Sequence, residues 1–216
     1  MDYRTARHNM VESQVRTNDV TDRRIIEAME TLPRERFVPR SLRPLAYMGA
    51  PLEAAEGRFL LDPRTLSKLI QAADIEPDEL VLDVGCATGY STAVLAHLAE
   101  TVVGLEADQG LAEEATRLLT DLGIDNTAVI TGDLAAGAPS QGPFDVIFIN
   151  GGVEAVPESL TSQLKEGGRL AAVILGRRIG KAHIFLRTED VVSSRIEFDA
   201  TPPALPGFER AEAFTF

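Results

Sequence analysis

An α/β fold built on a doubly wound, mostly parallel sheet is predicted by three features of the chain. Short continuous apolar runs alternate with amphipathic ones between residues 80 and 176, and glycine-rich breaks follow the apolar runs. Further strand-like runs then follow without helices between them, as an antiparallel edge requires. The predicted organisation is an N-terminal helical and loop segment (1–79), a central α/β core (80–176) and C-terminal strands completing the sheet (177–216), packed as a single compact domain.

Each element has a local reason. Thr21 is placed to cap a helix whose apolar residues Ile25, Ile26 and Met29 share one face. Pro33, Pro39, Pro44 and Pro51 interrupt the following stretch, which reads as loop through Glu56. Asp62-Pro63 starts a second helix with a capping carboxylate and proline at its first position, and Leu66, Leu69 and Ile70 form its buried stripe. In the core, strands are expected at Leu80–Val84, Thr101–Leu105, Thr127–Ile130, Phe144–Ile149 and Arg169–Leu175. Helices are expected between them at Tyr90–Leu98, Gln109–Leu122 and Pro157–Leu164. The tail is expected to add strands at His183–Leu186, Val191–Phe198 and Arg210–Phe216.

Composition narrows the function. The chain has 21 Lys plus Arg against 33 Asp plus Glu, a net charge of −12 that argues against a nucleic-acid surface. The imbalance is local: residues 80–176 carry −10, residues 1–79 carry −2, and residues 177–216 are neutral. A lone cysteine, Cys86, excludes an internal disulfide framework and suits a reducing cytoplasm. The charged first 25 residues do not read as a signal peptide, and no apolar run approaches the roughly 20 residues of a membrane helix, so a soluble cytoplasmic protein is expected. His8, His97 and His183 are scattered, and no metal site is expected.

The stretch Val81-Leu82-Asp83-Val84-Gly85-Cys86-Ala87-Thr88-Gly89-Tyr90 is a strand, a glycine loop and a helix start. A dinucleotide fingerprint needs glycines at positions 85, 87 and 90, which hold Gly, Ala and Tyr, and no phosphate-loop Gly-Lys-Ser/Thr is present. Asp83 beside the loop disfavours a pyrophosphate and favours a cation or a ribose. Glu106, 21 residues beyond Gly85, is placed to accept from both ribose hydroxyls. Gly132-Asp133 follows the third strand, where the aspartate suits an adenine amino group. Ammonium, sulfonium and adenosine without phosphate describe S-adenosylmethionine, so a Rossmann-like class I methyltransferase is expected. Its cofactor contacts are expected from Asp83, Gly85, Cys86, Ala87, Thr88, Gly89, Tyr90, Glu106, Ala107, Gly132, Asp133 and Asn150. Plainer roles suit several of these: Asp83 as a cap partner, Asp133 in a turn, Thr88 and Tyr90 in packing, and Cys86 as a small buried residue.

From about Met10 to Leu175 the chain resembles the protein-L-isoaspartate O-methyltransferase family. Met10–Arg16 is similar to that family's opening helix, and Leu32-Pro33-Arg34-Glu35-Arg36-Phe37-Val38-Pro39 to its Val-Pro-Arg…Phe-Val-Pro signature. Ala46-Tyr47 and Pro51-Leu52 continue it, Val81–Leu95 resembles the cofactor loop and helix, and Phe144–Leu170 the fourth strand, helix and Glu-Gly-Gly turn. One place departs from the pattern. The family's Gly-Gln-Thr-Ile-Ser-x-Pro stands here as Gly57-Arg58-Phe59-Leu60-Leu61-Asp62-Pro63, so its two hydroxyl positions are Phe59 and Leu61. The family's Asp before Pro-Leu is Gly49, and its turn after strand four is Asn150-Gly151-Gly152.

The resemblance implies methyl transfer to the α-carboxylate of isoaspartyl residues in damaged proteins, through an ester that collapses to a succinimide. The acceptor carboxylate is already anionic, so positioning dominates and no general base is needed. Each hydroxyl donor lost at Phe59 and Leu61 costs on the order of 1–3 kcal/mol of acceptor binding if nothing replaces it. Arg58 is the replacement within reach in sequence, through bidentate binding of a carboxylate. Two other readings stand beside this one: a methyltransferase of the same fold with a more apolar, small-molecule acceptor, and a protein that holds the cofactor without turnover.

Overall fold

The computed structural model describes residues 2–189 and 191–209. The chain opens with α1 (Tyr3–Met10), capped by the Asp2 carboxylate, and runs on through a wider π-helical turn at Val11–Val15. The opening helix therefore starts upstream of the Met10 expected for it. Helix α2 (Arg23–Thr31) is capped by Asp22 rather than Thr21. The Thr21 amide is instead held by Gln71 Oε1 at 2.7 Å. The proline-rich stretch is less of a loop than expected. It contains 3-10 turns at Arg34–Phe37 and Arg43–Leu45 and a two-stranded hairpin, β1 (Leu52–Ala55) with β2 (Arg58–Leu60). Helix α3 (Pro63–Ala73) starts at Asp62-Pro63 as its sequence requires, with Asp62 Oδ1 accepting from Thr65 N at 2.9 Å.

The core alternates β3 (Leu80–Val84), α4 (Tyr90–Ala96), β4 (Thr101–Glu106), α5 (Gln109–Asp121), β5 (Thr127–Thr131), β6 (Phe144–Val153), α6 (Glu158–Thr161) and β7 (Leu164–Ile174). Three boundaries differ from expectation by more than two residues. The first is the end of β6, which runs to Val153 rather than Ile149 and takes in Asn150-Gly151-Gly152, expected as a turn. The helix expected over Pro157–Leu164 is one short turn, and β7 begins at Leu164 instead of Arg169, because Leu164 already pairs with Phe144 across the sheet. Strands β8 (Lys181–Thr188) and β9 (Val191–Asp199) are antiparallel to β7 and to each other. The strand expected at Arg210–Phe216 lies outside the described residues.

The seven strands run in the order β5-β4-β3-β6-β7-β8-β9, with β3 to β7 parallel. Alternate residues of each strand bury into opposite layers. Val81, Val102, Val146, Phe148, Ala171 and Val173 meet the N-terminal segment with α3 and α4. Leu82, Val84, Val103, Leu105, Ile147, Ile149, Leu170 and Ala172 meet Leu160, Leu164, Leu205 and Phe208 on the other side. The chain leaves β3 toward β4 on one side and returns to β6 on the other. A crevice therefore opens at the carboxyl ends of β3 and β6, where such sheets bind ligands. Among the described residues no helix is long and apolar enough to cross a membrane.

Candidate active site

The β3–α4 loop turns back on itself through three residues of positive φ: Gly85 (77°), Ala87 (49°) and Gly89 (91°). Gly89 has a packing reason as well, since a Cβ there would lie 3.2 Å from Ala115 Cβ of α5. The loop is tied at both ends. Gly85 N donates to Leu105 O at 2.8 Å, and Thr88 Oγ1 donates to Phe37 O at 2.6 Å. Thr88 thus joins the cofactor loop to the Pro33–Pro39 signature. Cys86 is buried, which pushes its thiol well above the ordinary thiol range and leaves it a packing residue.

Asp83 is fully buried at the end of β3. Its Oδ2 accepts from Ser91 Oγ and Thr92 Oγ1, both at 2.7 Å, while Oδ1 is buried with no protein partner. Desolvation lifts the carboxyl to about 6 against the pull of the two hydroxyls. Across the crevice, Asn150 Nδ2 donates to Gly85 O at 3.0 Å, and Asn150 Oδ1 is likewise buried without a partner. Among the described residues these two acceptors have no partner, and a ligand that brings N–H donors and positive charge would satisfy both.

Glu106, at the end of β4, is also fully buried. Its Oε2 accepts from Ala87 N at 2.9 Å, and Oε1 from Arg58 Nε at 2.9 Å, Ala107 N at 2.8 Å and Asp108 N at 3.2 Å. Arg58, expected at an acceptor carboxylate, is therefore paired with the residue expected to read the ribose. Ala107 and Asp133 are exposed at the neighbouring strand ends, and Gly132 N donates to Glu106 O at 3.0 Å. Asp133 Oδ1 accepts from Ala135 N at 2.8 Å and Ala136 N at 3.3 Å, the contacts of a turn. The carboxylate expected at an adenine amino group therefore has a structural task already in hand.

The acceptor side is built by the N-terminal segment. Arg34 is wholly buried, with no carboxylate partner among the described residues. Its Nε donates to Ala46 O at 2.8 Å and one terminal nitrogen to Leu61 O at 2.7 Å, while the guanidinium lies 4.7 Å over the Tyr90 ring. Tyr90 also packs edge-on against Phe37 and belongs to this apolar layer, so its side chain faces the N-terminal segment. Leu61 is likewise a core residue, 2% exposed, and Phe59 is half-buried opposite Glu53 in the hairpin. A cavity of about 340 Å³ lies nearby, lined by Ser13, Gln14, Gly49, Asp62, Thr65 and Thr201 among others. Its lining is polar, and neither Phe59 nor Leu61 contributes to it.

Four participants were not legible in the chain. Ser91 and Thr92 sit at the start of α4, where their hydroxyls can turn back to Asp83; the signal was their spacing of eight and nine from that residue. Arg34 was seen only as part of a signature. The strap Pro203–Pro206 was not foreseen at all: it lies along the end of β6, with Gly152 N to Pro203 O at 2.8 Å and Leu205 N to Gly152 O at 2.7 Å. Leu205 packs on the glycine loop so closely that a Cβ on Gly85 or Gly151 would come within 2.8 Å of it. One histidine is not isolated. His8 stands with Glu12 and Glu30 so that one ligand atom of each lies within 4.8 Å of the others, although Glu12 is paired with Arg16 at 2.8 Å and the group is largely exposed. The spacing of His8 and Glu12, four apart on one helix, was the overlooked signal.

Comparison with known proteins agrees with this geometry. Residues 5–195 match the family model described as Protein-L-isoaspartate(D-aspartate) O-methyltransferase. Protein-L-isoaspartate O-methyltransferase 2 of Anaeromyxobacter sp. (strain Fw109-5) is 40% identical over 166 residues, 77% of this chain and 68% of that protein. The protein-L-isoaspartate O-methyltransferase of Opitutus terrae is 39% identical over 177 residues, 82% of this chain and 74% of that one. A solved protein-L-isoaspartate O-methyltransferase superposes with a TM-score of 0.80 at 26% identity, over 94% of this chain and 67% of the other. A putative Plasmodium falciparum enzyme of that name, solved with S-adenosyl-L-homocysteine, superposes at 0.77 and 18% identity over 96% and 99%, a likeness of fold. The match takes in the N-terminal signature, the glycine loop and the β6–β7 turn in one continuous span, and the chain belongs to the protein-L-isoaspartate O-methyltransferase family.

Proposed function

We propose that this chain transfers a methyl group from S-adenosylmethionine to the carboxylate of isoaspartyl residues in damaged proteins. The observation that carries the reading is the family match over residues 5–195, because it spans the acceptor segment and the cofactor core together. When bound, the cofactor supplies an electrophilic methyl on a sulfonium. In this reading Asp83 and Asn150 hold its ammonium end, the loop Gly85–Gly89 lies along it, Glu106 and Ala107 hold the ribose, and Gly132-Asp133 the adenine. Arg34 keeps the acceptor loop against Tyr90, which positions the anionic acceptor. A polar cavity beside Gln14, Asp62 and Thr201 supports an acceptor that brings hydrogen-bonding groups, such as a peptide. A reducing, cytoplasmic location is proposed with it, from the single buried cysteine.

A second reading, with a different acceptor, is favoured by one observation. The hydroxyl positions of the family are a core leucine and a half-buried phenylalanine, so neither donates to a carboxylate. Radiolabelled S-adenosylmethionine with an isoaspartyl peptide tests the first reading: base-labile methyl ester should form at a rate proportional to enzyme. No ester at high enzyme, with S-adenosylhomocysteine still binding by calorimetry, leaves the second.

A further inference from the structure

The Arg58–Glu106 pair joins the acceptor side of the molecule to the cofactor side. Glu106 Oε1 is surrounded by three donors, and two of them, with the Ala87 amide on Oε2, are backbone groups of the β4–α5 turn and the glycine loop. Those amides cannot leave without unmaking the turns. Arg58 can leave. It hangs from a three-residue strand just after the exposed Glu56, in a hairpin that stands apart from the seven-stranded sheet although its Leu52, Ala54 and Leu60 pack into the core. Each carboxylate oxygen has about two acceptor sites; Oε1 already takes three donors and Oε2 takes one. One ribose hydroxyl finds a site on Oε2, and the second reaches Oε1 only by exchange. The space for the exchange exists beside it: a cavity of about 580 Å³ lined by Ala55, Glu56, Arg58, Ala107, Asp108 and Pro206.

We propose that Arg58 is an exchangeable partner of Glu106, displaced by the ribose of the incoming cofactor, and that the released guanidinium then holds the anionic acceptor. The second half rests on the carboxylate acceptor proposed above. Phe59 and Leu61 follow Arg58 by one and three residues, so the loop that lacks two neutral donors carries a cation beside the same positions. A guanidinium grips a carboxylate through two parallel N–H bonds, which matches the number of donors lost. Binding becomes ordered: until the cofactor arrives, Arg58 is committed to Glu106.

Calorimetry with S-adenosylhomocysteine tests the exchange without turnover. R58Q removes the competing ion pair, and its affinity should rise about fivefold over wild type, with a larger gain in Tm on adding S-adenosylhomocysteine. R58K, which keeps the charge but not the planar fork, should fall between the two. Unchanged or weaker affinity in R58Q, or in R58K should R58Q not fold, overturns the exchange. The acceptor half is read by binding of an isoaspartyl peptide. Wild type should bind it only with S-adenosylhomocysteine present, and R58Q should lose at least tenfold in peptide affinity. Equal peptide binding by R58Q and wild type overturns the acceptor role of Arg58. If wild type binds no isoaspartyl peptide in either condition, the carboxylate acceptor itself fails, while the S-adenosylhomocysteine titrations still decide the exchange.

Discussion

Asp83 shows what a single buried carboxylate does to the pH behaviour of the site. In the folded chain it holds its proton up to about pH 6, whereas an unfolded aspartate has lost it near 3.8. Folded stability therefore declines as pH rises through that window, and the cost of the buried charge is fully present above it. A cation at the unpartnered Oδ1 favours the ionised form, so the dependence of binding has the opposite sign. S-adenosylhomocysteine affinity should rise up to about tenfold per pH unit below 6 and level off above 7. D83N, which keeps hydrogen-bonding capacity toward Ser91 and Thr92, should flatten that profile and lose at least tenfold in affinity at pH 7.5; isothermal titration at several pH values measures both. Asp83 was legible in the sequence because it ends an apolar strand before a glycine loop. Its two hydroxyl partners were not, since only the helix start turns Ser91 and Thr92 back toward it. Glu106 was legible by its spacing from Gly85, but its ion pair with Arg58 spans 48 residues, and nothing local in either segment announces it.

At the scale of elements, the strands and helices of the core were legible because burial on both faces leaves continuous apolar runs, and caps such as Asp62-Pro63 leave a local mark. The β1–β2 hairpin was not, since Pro51 and the charged residues around Gly57 obscure four- and three-residue strands. The strap was hidden for a different reason: it has no periodicity, and its place is set by two glycines far away in sequence. Leu205, 5% exposed, fills the space that Gly85 and Gly151 leave above the ends of β3 and β6. L205A should cost about 2–3 kcal/mol, read as a fall of roughly 5–10 °C in Tm. Hydrogen exchange should accelerate at Gly152, whose amide is held by the strap, before it does in the middle of β6. G85A should be worse tolerated than an average glycine substitution, because its φ of 77° disfavours a side chain and Leu205 must also move. Arg34 belongs at this scale too, since it fastens two loops at once. R34M leaves the Ala46 and Leu61 carbonyls without their donor and should lower stability by about 2–4 kcal/mol. Turnover should fall more than S-adenosylhomocysteine affinity, because the loop released is the acceptor's.

For the whole molecule, the charge and the core give different pictures of its parts. Charge divides the chain, with most of the −12 confined to residues 80–176, and suggests a neutral annex beside an acidic core. Packing does not divide it. One apolar cluster runs from Met10 and Met29 through Leu66 and Ile70 to Val81, Tyr90, Phe148, Val173 and Ala182, crossing both boundaries that the sequence suggests. Arg169 of β7 fastens the same junction, donating to Ala73 O at 3.0 Å at the end of α3 and pairing with Glu79. The N-terminal segment therefore supplies one face of the sheet with its cover and buries its own apolar residues in the same cluster. Thermal unfolding should be one cooperative transition, with near-ultraviolet signals from Tyr47 and Tyr90 coinciding with the far-ultraviolet loss of helix and sheet. R169M should lower the midpoint, since the partly buried Glu79 loses its cation, yet the two signals should still coincide. A wild-type near-ultraviolet transition several degrees below the far-ultraviolet one would show the N-terminal segment melting off a stable core, and would overturn the single cooperative unit.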